Sequence, residues 1–303
     1  MNAKQHDTKA LQDLDKQHYM HPFTDSKAMH KKGTRIITGA DGCYIYDTEG
    51  GKVLDVMAGL WCVAIGYGRH ELADVAAQQM RELPYYNSFF GTAHPPVIKL
   101  AAQLKKLAPA HISHVFFTGS GSESNDTNVR LVRHYWQAKG QPKKRTIISR
   151  YNAYHGSTMA AMSLGGMKGM HDQGGIIDGI EHIMQPHWYH ETLVGESEED
   201  FGLRAAQALE TKILEVGADQ VGAFIGEPVQ GAGAVIVPPV SYWPEIQRIC
   251  KKYNILLIAD EVITGFGRTG NWFASETLGI EPDLITIAKG LSSGYMPIGG
   301  VLI

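Results

Sequence analysis

Residues of reactive type stand at the ends of short apolar runs in this chain. Leu284 to Ala288 reads as a buried strand, bounded by Pro282-Asp283 and Gly290, and Lys289 falls where it ends. Ligands of open α/β sheets gather outside the carboxyl ends of the strands. A lysine held there among apolar backbone and glycine is desolvated, which disfavours its ammonium form and leaves an amine able to attack a carbonyl. Taken alone, Lys289 reads more readily as a surface lysine whose stem follows the strand into water. Ile255 to Ala259 is a second such run and ends in Asp260. One strand-helix-strand unit separates Asp260 from Lys289, so the two strand ends can face one crevice. By itself Asp260 is equally a turn or helix cap. His114 to Phe117 leads into Thr118-Gly119-Ser120-Gly121-Ser122-Glu123, a Gly/Ser loop before a helix. Backbone N–H groups and the positive end of a helix dipole suit a phosphate there, although an ordinary strand-helix connection has the same look. No Gly-Lys-Ser/Thr follows, and Ser124 stands where a dinucleotide fingerprint needs its third glycine.

Together, the amine, the carboxylate and the phosphate cradle suit pyridoxal phosphate. That cofactor needs a lysine for its aldehyde, an acidic partner for its ring nitrogen and a seat for its phosphate. The sequence resembles the class III (fold type I) pyridoxal-phosphate aminotransferases. The matching stretches are Phe117 to Glu123, Tyr154-His155-Gly156-Ser157-Thr158, Glu227-Pro228-Val229-Gln230-Gly231, Ala259-Asp260-Glu261-Val262 with Gly265-Phe266-Gly267-Arg268-Thr269-Gly270, and Ala288-Lys289-Gly290. They span nearly the whole chain from His21-Pro22-Phe23 onward. Ala58-Gly59-Leu60-Trp61-Cys62, Thr92-Ala93-His94-Pro95-Pro96 and Ser163 to Lys168 are similar to the polyamine and ω-amino acid:pyruvate aminotransferases within the class.

The resemblance implies a cofactor carried on Lys289, which also moves the substrate proton. It puts Asp260 against the pyridine nitrogen, Val262 on one ring face, and Tyr154 with His155 on the other. Gly121, Ser122 and Ser120 would meet the phosphate, Glu227 would lie close to the cofactor, and Phe23 and Trp61 would line the substrate pocket. Arg268 reads as structural or interfacial. Beside these roles, Tyr154, Trp61 and Val262 also read as core residues, and Glu227 as a solvated strand-end carboxylate. The implied reaction passes a terminal amine from putrescine, another polyamine or an ω-amino acid to pyruvate, in a homodimer or larger homo-oligomer. The alternatives are 4-aminobutyrate- or ornithine-type transfer, a decarboxylase or aminomutase, and a catalytically incompetent fragment. Relatives continue beyond the position of Ile303. A C-terminal small domain, a phosphate-binding threonine given by the partner subunit and a carboxylate-binding arginine are therefore expected there.

The elements that must position these residues follow from pattern. Residues 1–69 read as an N-terminal segment and small lobe, with a helix at 8–18 and a β-hairpin at 44–55. Residues 70–303 read as a large α/β domain, incomplete at its end, with a mostly parallel sheet and helices on both faces. Strands are expected at 114–117, 146–149, 180–184, 221–226, 255–259 and 284–288. Leu72, Val75, Gln79 and Leu83 lie on one stripe of a helix, with Met80 beside it, and residues 186–201 read as an exposed loop. Val301-Leu302-Ile303 begins an apolar strand, a hazard if it is left as an uncovered edge.

Composition narrows the partners. A net charge of −3 without a basic block argues against nucleic acid. No apolar run approaches membrane-spanning length, and the polar opening lacks a secretory h-region. Three scattered cysteines fit neither a disulfide framework nor a zinc pattern, so the expected setting is a reducing cytoplasm and no metal is expected.

Overall fold

The computed structural model describes residues 6–303, and the polar opening residues 1–5 lie outside the described part. The chain forms two compact units, one running to Pro84 and the other spanning Tyr85–Ile303. The boundary falls beyond the helix His70–Glu82, so this helix groups with the first unit, whereas the change of pattern at residue 70 assigns it to the second.

The first unit holds α1 (Thr8–His18), α2 (Ser26–Lys32), β1 (Ile37–Asp41), β2 (Tyr44–Asp47), β3 (Lys52–Leu54), α3 (Ala58–Trp61) and α4 (His70–Glu82). The strands form an antiparallel sheet in sequence order. Its β2–β3 turn closes because the Asp47 carboxylate accepts from the N–H groups of Glu49 and Gly51, while Gly50 takes a φ of +81°. None of the described residues of this unit is fully buried, and Val75 and Met80 of the α4 stripe are exposed.

The second unit begins with α5 (Pro95–Leu107), β4 (Val115–Thr118), α6 (Gly121–Ala138) and β5 (Thr146–Arg150). It continues through α7 (Met159–Leu164), α8 (Lys168–His171), β6 (Ile180–Ile183), α9 (Trp188–Glu191) and α10 (Glu198–Val216). The remainder is β7 (Val221–Gly226), α11 (Tyr242–Tyr253), β8 (Leu256–Asp260), α12 (Ala274–Leu278), β9 (Leu284–Ile287) and β10 (Gly299–Leu302). The seven strands are ordered β4-β10-β9-β8-β7-β5-β6. All pairs are parallel except those of β10, which runs antiparallel to both neighbours.

Adjacent strand residues enter different cores, as the two-residue period of a strand requires. Ile148, Phe224 and Leu257 pack with Phe201, Leu209, Trp243 and Ile246 of α10 and α11. Ile147, Ala223, Ile225 and Ile258 pack with Val129, Val132 and Trp136 of α6. The sheet is therefore covered on both faces.

Two expectations are corrected. β10 is not an edge: it sits between β4 and β9 with all four residues buried, and the Ile303 carbonyl takes the N–H groups of Ser113 and His114. Sheet order, invisible in a local pattern, removes the hazard. Residues 186–201 are not one loop, since α9 and the first turn of α10 lie within them. Ser197 accepts from the Asp200 N–H as N-cap, and Glu198, Glu199 and Asp200 suit the positive end of α10.

Candidate active site

A pocket of the second unit opens where β8 and β9 end and α6 begins. Lys289 lies in its lining, directly after β9, with a φ of +42° at the start of a 3₁₀ turn. A non-glycine residue costs on the order of 1–3 kcal/mol in such a conformation, and strain of this kind clusters at functional positions. Asp260 closes β8 in the same lining, 3% exposed. Its Oδ2 accepts from Asn125 Nδ2 at 2.8 Å and lies 2.7 Å from His155 Nδ1, and its Oδ1 accepts from the Val262 N–H at 3.1 Å. His155 Nε2 reaches Ser149 Oγ at 3.2 Å. A carboxylate only accepts, so Nδ1 of His155 carries the proton it shares.

Gly121 and Ser122, the first residues of α6, line the pocket across from Val262. Ser120 is not in the lining; its hydroxyl caps α6 by accepting from the Glu123 N–H at 3.2 Å. Tyr154 and Glu227 complete the set. Burial pushes the Tyr154 phenol up. Burial also pushes the Glu227 carboxyl up, against the opposing pull of His155 and Arg150. Glu227 Oε2 accepts from the Gly231 N–H at 2.7 Å, and its own carbonyl accepts from Arg150 at 2.7 Å. Phe23 and Trp61 belong to the first unit, where both have positive φ. Among the described residues no group of three or more His, Cys, Asp or Glu could hold a metal ion, and no helix is long and apolar enough to cross a membrane.

The donor set fits pyridoxal phosphate. A Cβ at Gly121 would lie 3.0 Å from Val262 Cγ2 and 3.5 Å from the Ala288 Cβ, so glycine keeps open the space beside Lys289. A Cβ at Gly156 would come within 2.7 Å of Ser122 Cα, so this glycine is what lets the Tyr154-His155 segment close on the start of α6. Exposed N–H groups at that helix start would hold a phosphate, Asp260 would take a protonated ring nitrogen, and Lys289 would supply the amine.

Sequence reasoning missed Asn125, Asn128 and Thr286, which are buried and hydrogen-bonded to one another behind Asp260. A signal was present: Asn125 and Asn128 continue the core spacing of Val129, Val132 and Trp136 toward the start of α6. Gly156, Ile263 and Ala288 of the lining were also missed as contacts, although they neighbour residues singled out.

The chain belongs to the class-III aminotransferases, whose family model, Aminotransferase class-III, matches residues 26–303. This family is pyridoxal-phosphate-dependent. Within it, the chain is 60% identical over 304 residues to a putrescine–pyruvate aminotransferase of Pseudomonas aeruginosa, covering 100% of this chain and 66% of that protein. It is 46% identical to a diaminobutyrate–2-oxoglutarate transaminase of Halomonas elongata, over 89% of this chain and 58% of the other. The crystal structure of an ω-transaminase from Pseudomonas jessenii in complex with PMP superposes with a TM-score of 0.95 at 47% identity, covering 97% of this chain and 65% of that one. The chain thus spans just under two thirds of the first relative's length and less of the second.

Proposed function

We infer that this chain is the cofactor-binding part of an aminotransferase that takes a terminal amine from putrescine, another polyamine or an ω-amino acid and delivers it to pyruvate. The observation carrying this reading is the pocket that joins Lys289, Asp260 and the start of α6, in a chain 60% identical to a putrescine–pyruvate aminotransferase. When bound, pyridoxal phosphate supplies an aldehyde that captures an amine and a ring that withdraws electrons from the adjoining carbon. Lys289 would hold the cofactor through its amine and, once free, would serve as the base that moves the proton at the substrate carbon. Asp260 would keep the ring nitrogen protonated through a charge-assisted hydrogen bond. Gly121 and Ser122 would hold the phosphate, and Val262 and Tyr154, which line the same pocket, would pack on the ring. Glu227, buried beside Tyr154 in the same lining, would offer a carboxyl close to the cofactor. A homodimer in the cytoplasm is part of the same reading.

The test is alanine formation from pyruvate with pyridoxal phosphate present, comparing putrescine, β-alanine and 4-aminobutyrate. Gly165 to Gly169 carries no aromatic after Lys168, which favours room for a longer amine. Putrescine should therefore give the fastest turnover. Equal turnover of putrescine and β-alanine would remove that preference, and amine loss without alanine would point to other chemistry of the class.

A further inference from the structure

Asn125 lies one turn into α6, the helix whose first residues line the pocket. Its side chain is fully buried. Nδ2 donates to Asp260 Oδ2 and to the His155 carbonyl, each at 2.8 Å. Oδ1 accepts from Asn128 Nδ2 at 3.0 Å and from Thr286 Oγ1 at 2.9 Å. All four hydrogen-bonding positions of the amide are thus used. Its orientation is forced, because the His155 carbonyl only accepts and the nitrogen must face it. Thr286 stands on β9, three residues before Lys289, and itself accepts from Asn128 at 2.8 Å. One side chain therefore ties the phosphate-side helix to the strands that carry the acid and the lysine.

Asp260 shows what this does. Its Oδ2 receives two partners, Asn125 and His155, while Oδ1 receives only the Val262 N–H. Of the four acceptor positions of a carboxylate, one remains, and it is on Oδ1. Donors fixed to Oδ2 stop the group from rotating.

We propose that Asn125 is a positioning residue for Asp260: by saturating Oδ2 together with His155, it leaves Oδ1 as the oxygen that pairs with the protonated ring nitrogen of pyridoxal phosphate. This rests on the reading of the pocket as the pyridoxal phosphate site. The helical spacing of Asn125 marks it only as buried. The role follows from where the two hydrogens of its amide go.

The test compares equilibrium binding of two ligands to the chain, without turnover. One is pyridoxal phosphate and the other is deazapyridoxal phosphate, in which carbon replaces the ring nitrogen. The parent should prefer pyridoxal phosphate by about tenfold, the value of one charge-assisted hydrogen bond. In Asn125→Leu the preference should fall to near unity. Asn125→Asp keeps the size and should fall likewise, since two facing carboxylates share one proton. Thr286→Val, which removes one donor to Asn125, should reduce the preference partway. A merely structural role would weaken both ligands alike and preserve the ratio, which would overturn the proposal. If the parent itself binds both ligands equally, the role given to Asp260 fails and this proposal with it. If the parent discriminates and the variants keep its ratio, only the role of Asn125 fails.

Discussion

Asp260 Oδ2 lies 2.7 Å from His155 Nδ1, with the His155 side chain wholly buried and that of Asp260 3% exposed. The end of β8 and the loop between β5 and α7, 105 residues apart in sequence, meet in that contact. Removing one member of a buried pair leaves the other uncompensated, which costs more than the pair contributes. His155→Phe should therefore destabilise the chain by about 3 kcal/mol in urea titration. Ser149→Ala, which removes only the hydrogen-bond partner of His155 Nε2, should cost about 1 kcal/mol. Equal costs would show that the His155–Asp260 contact is not the dominant one.

Gly121→Ala tests the cradle. Its Cβ would lie 3.0 Å from Val262 Cγ2, so Val262, which lines the same pocket, must give way. The backbone of Gly121 is ordinary helix and takes alanine without strain. Pyridoxal phosphate affinity should fall about tenfold while the unfolding midpoint stays within a few degrees. Unchanged affinity would mean that the ring does not sit against Val262.

Glu210 gives a pH dependence remote from the site. It joins α10 to α11 by accepting from Lys252, Tyr253 and Gln207. The Lys252 hydrogen bond, followed by those of Tyr253 and Gln207, lowers its pKa to about 2. A carboxyl depressed in the folded state stabilises the fold above its ordinary value of 4.5, and that contribution is lost as pH falls toward 2. Parent and Glu210→Gln should differ in urea midpoint at pH 7, and the gap should close between 4.5 and about 2. A gap that widens in acid would reverse the sign argued here.

Lys144 is 5% exposed, with Nζ donating to the carbonyls of Tyr253 and Asn254 at the end of α11 and lying 4.2 Å from the Trp136 ring centroid. A cation at a helix carboxyl end satisfies orphan carbonyls and suits the dipole. Lys144→Met should cost about 1–3 kcal/mol. Its exposed neighbour Lys143, paired with Asp219 at 3.5 Å, should cost under about 1 kcal/mol on the same change. Similar losses at both positions would contradict this account of Lys144.

The parallel strands of the second unit were legible because most are short apolar runs between turn residues, and Lys289, Asp260 and the start of α6 could be read from where those runs end; β1 (Ile37–Asp41), with Thr38, Gly39 and Asp41 among its five residues, was not read. What was not legible depends on which elements become neighbours. Val301 and Leu302 look like an edge until the sheet order puts β10 between β4 and β9. Asn125 looks like a polar residue on a helix until Asp260, His155 and Thr286 meet it. The Ser197 cap was present in the sequence but hidden in an acidic stretch that resembles a solvated loop.

The central claim is that Lys289 is the amine that holds the cofactor. The direct measurement is borohydride reduction of the chain incubated with pyridoxal phosphate, followed by mass mapping of its peptides. The account predicts one stoichiometric pyridoxyl group on the Lys289 side chain, absent when putrescine is added before reduction. An unmodified Lys289, or label spread over surface lysines and indifferent to putrescine, would contradict it.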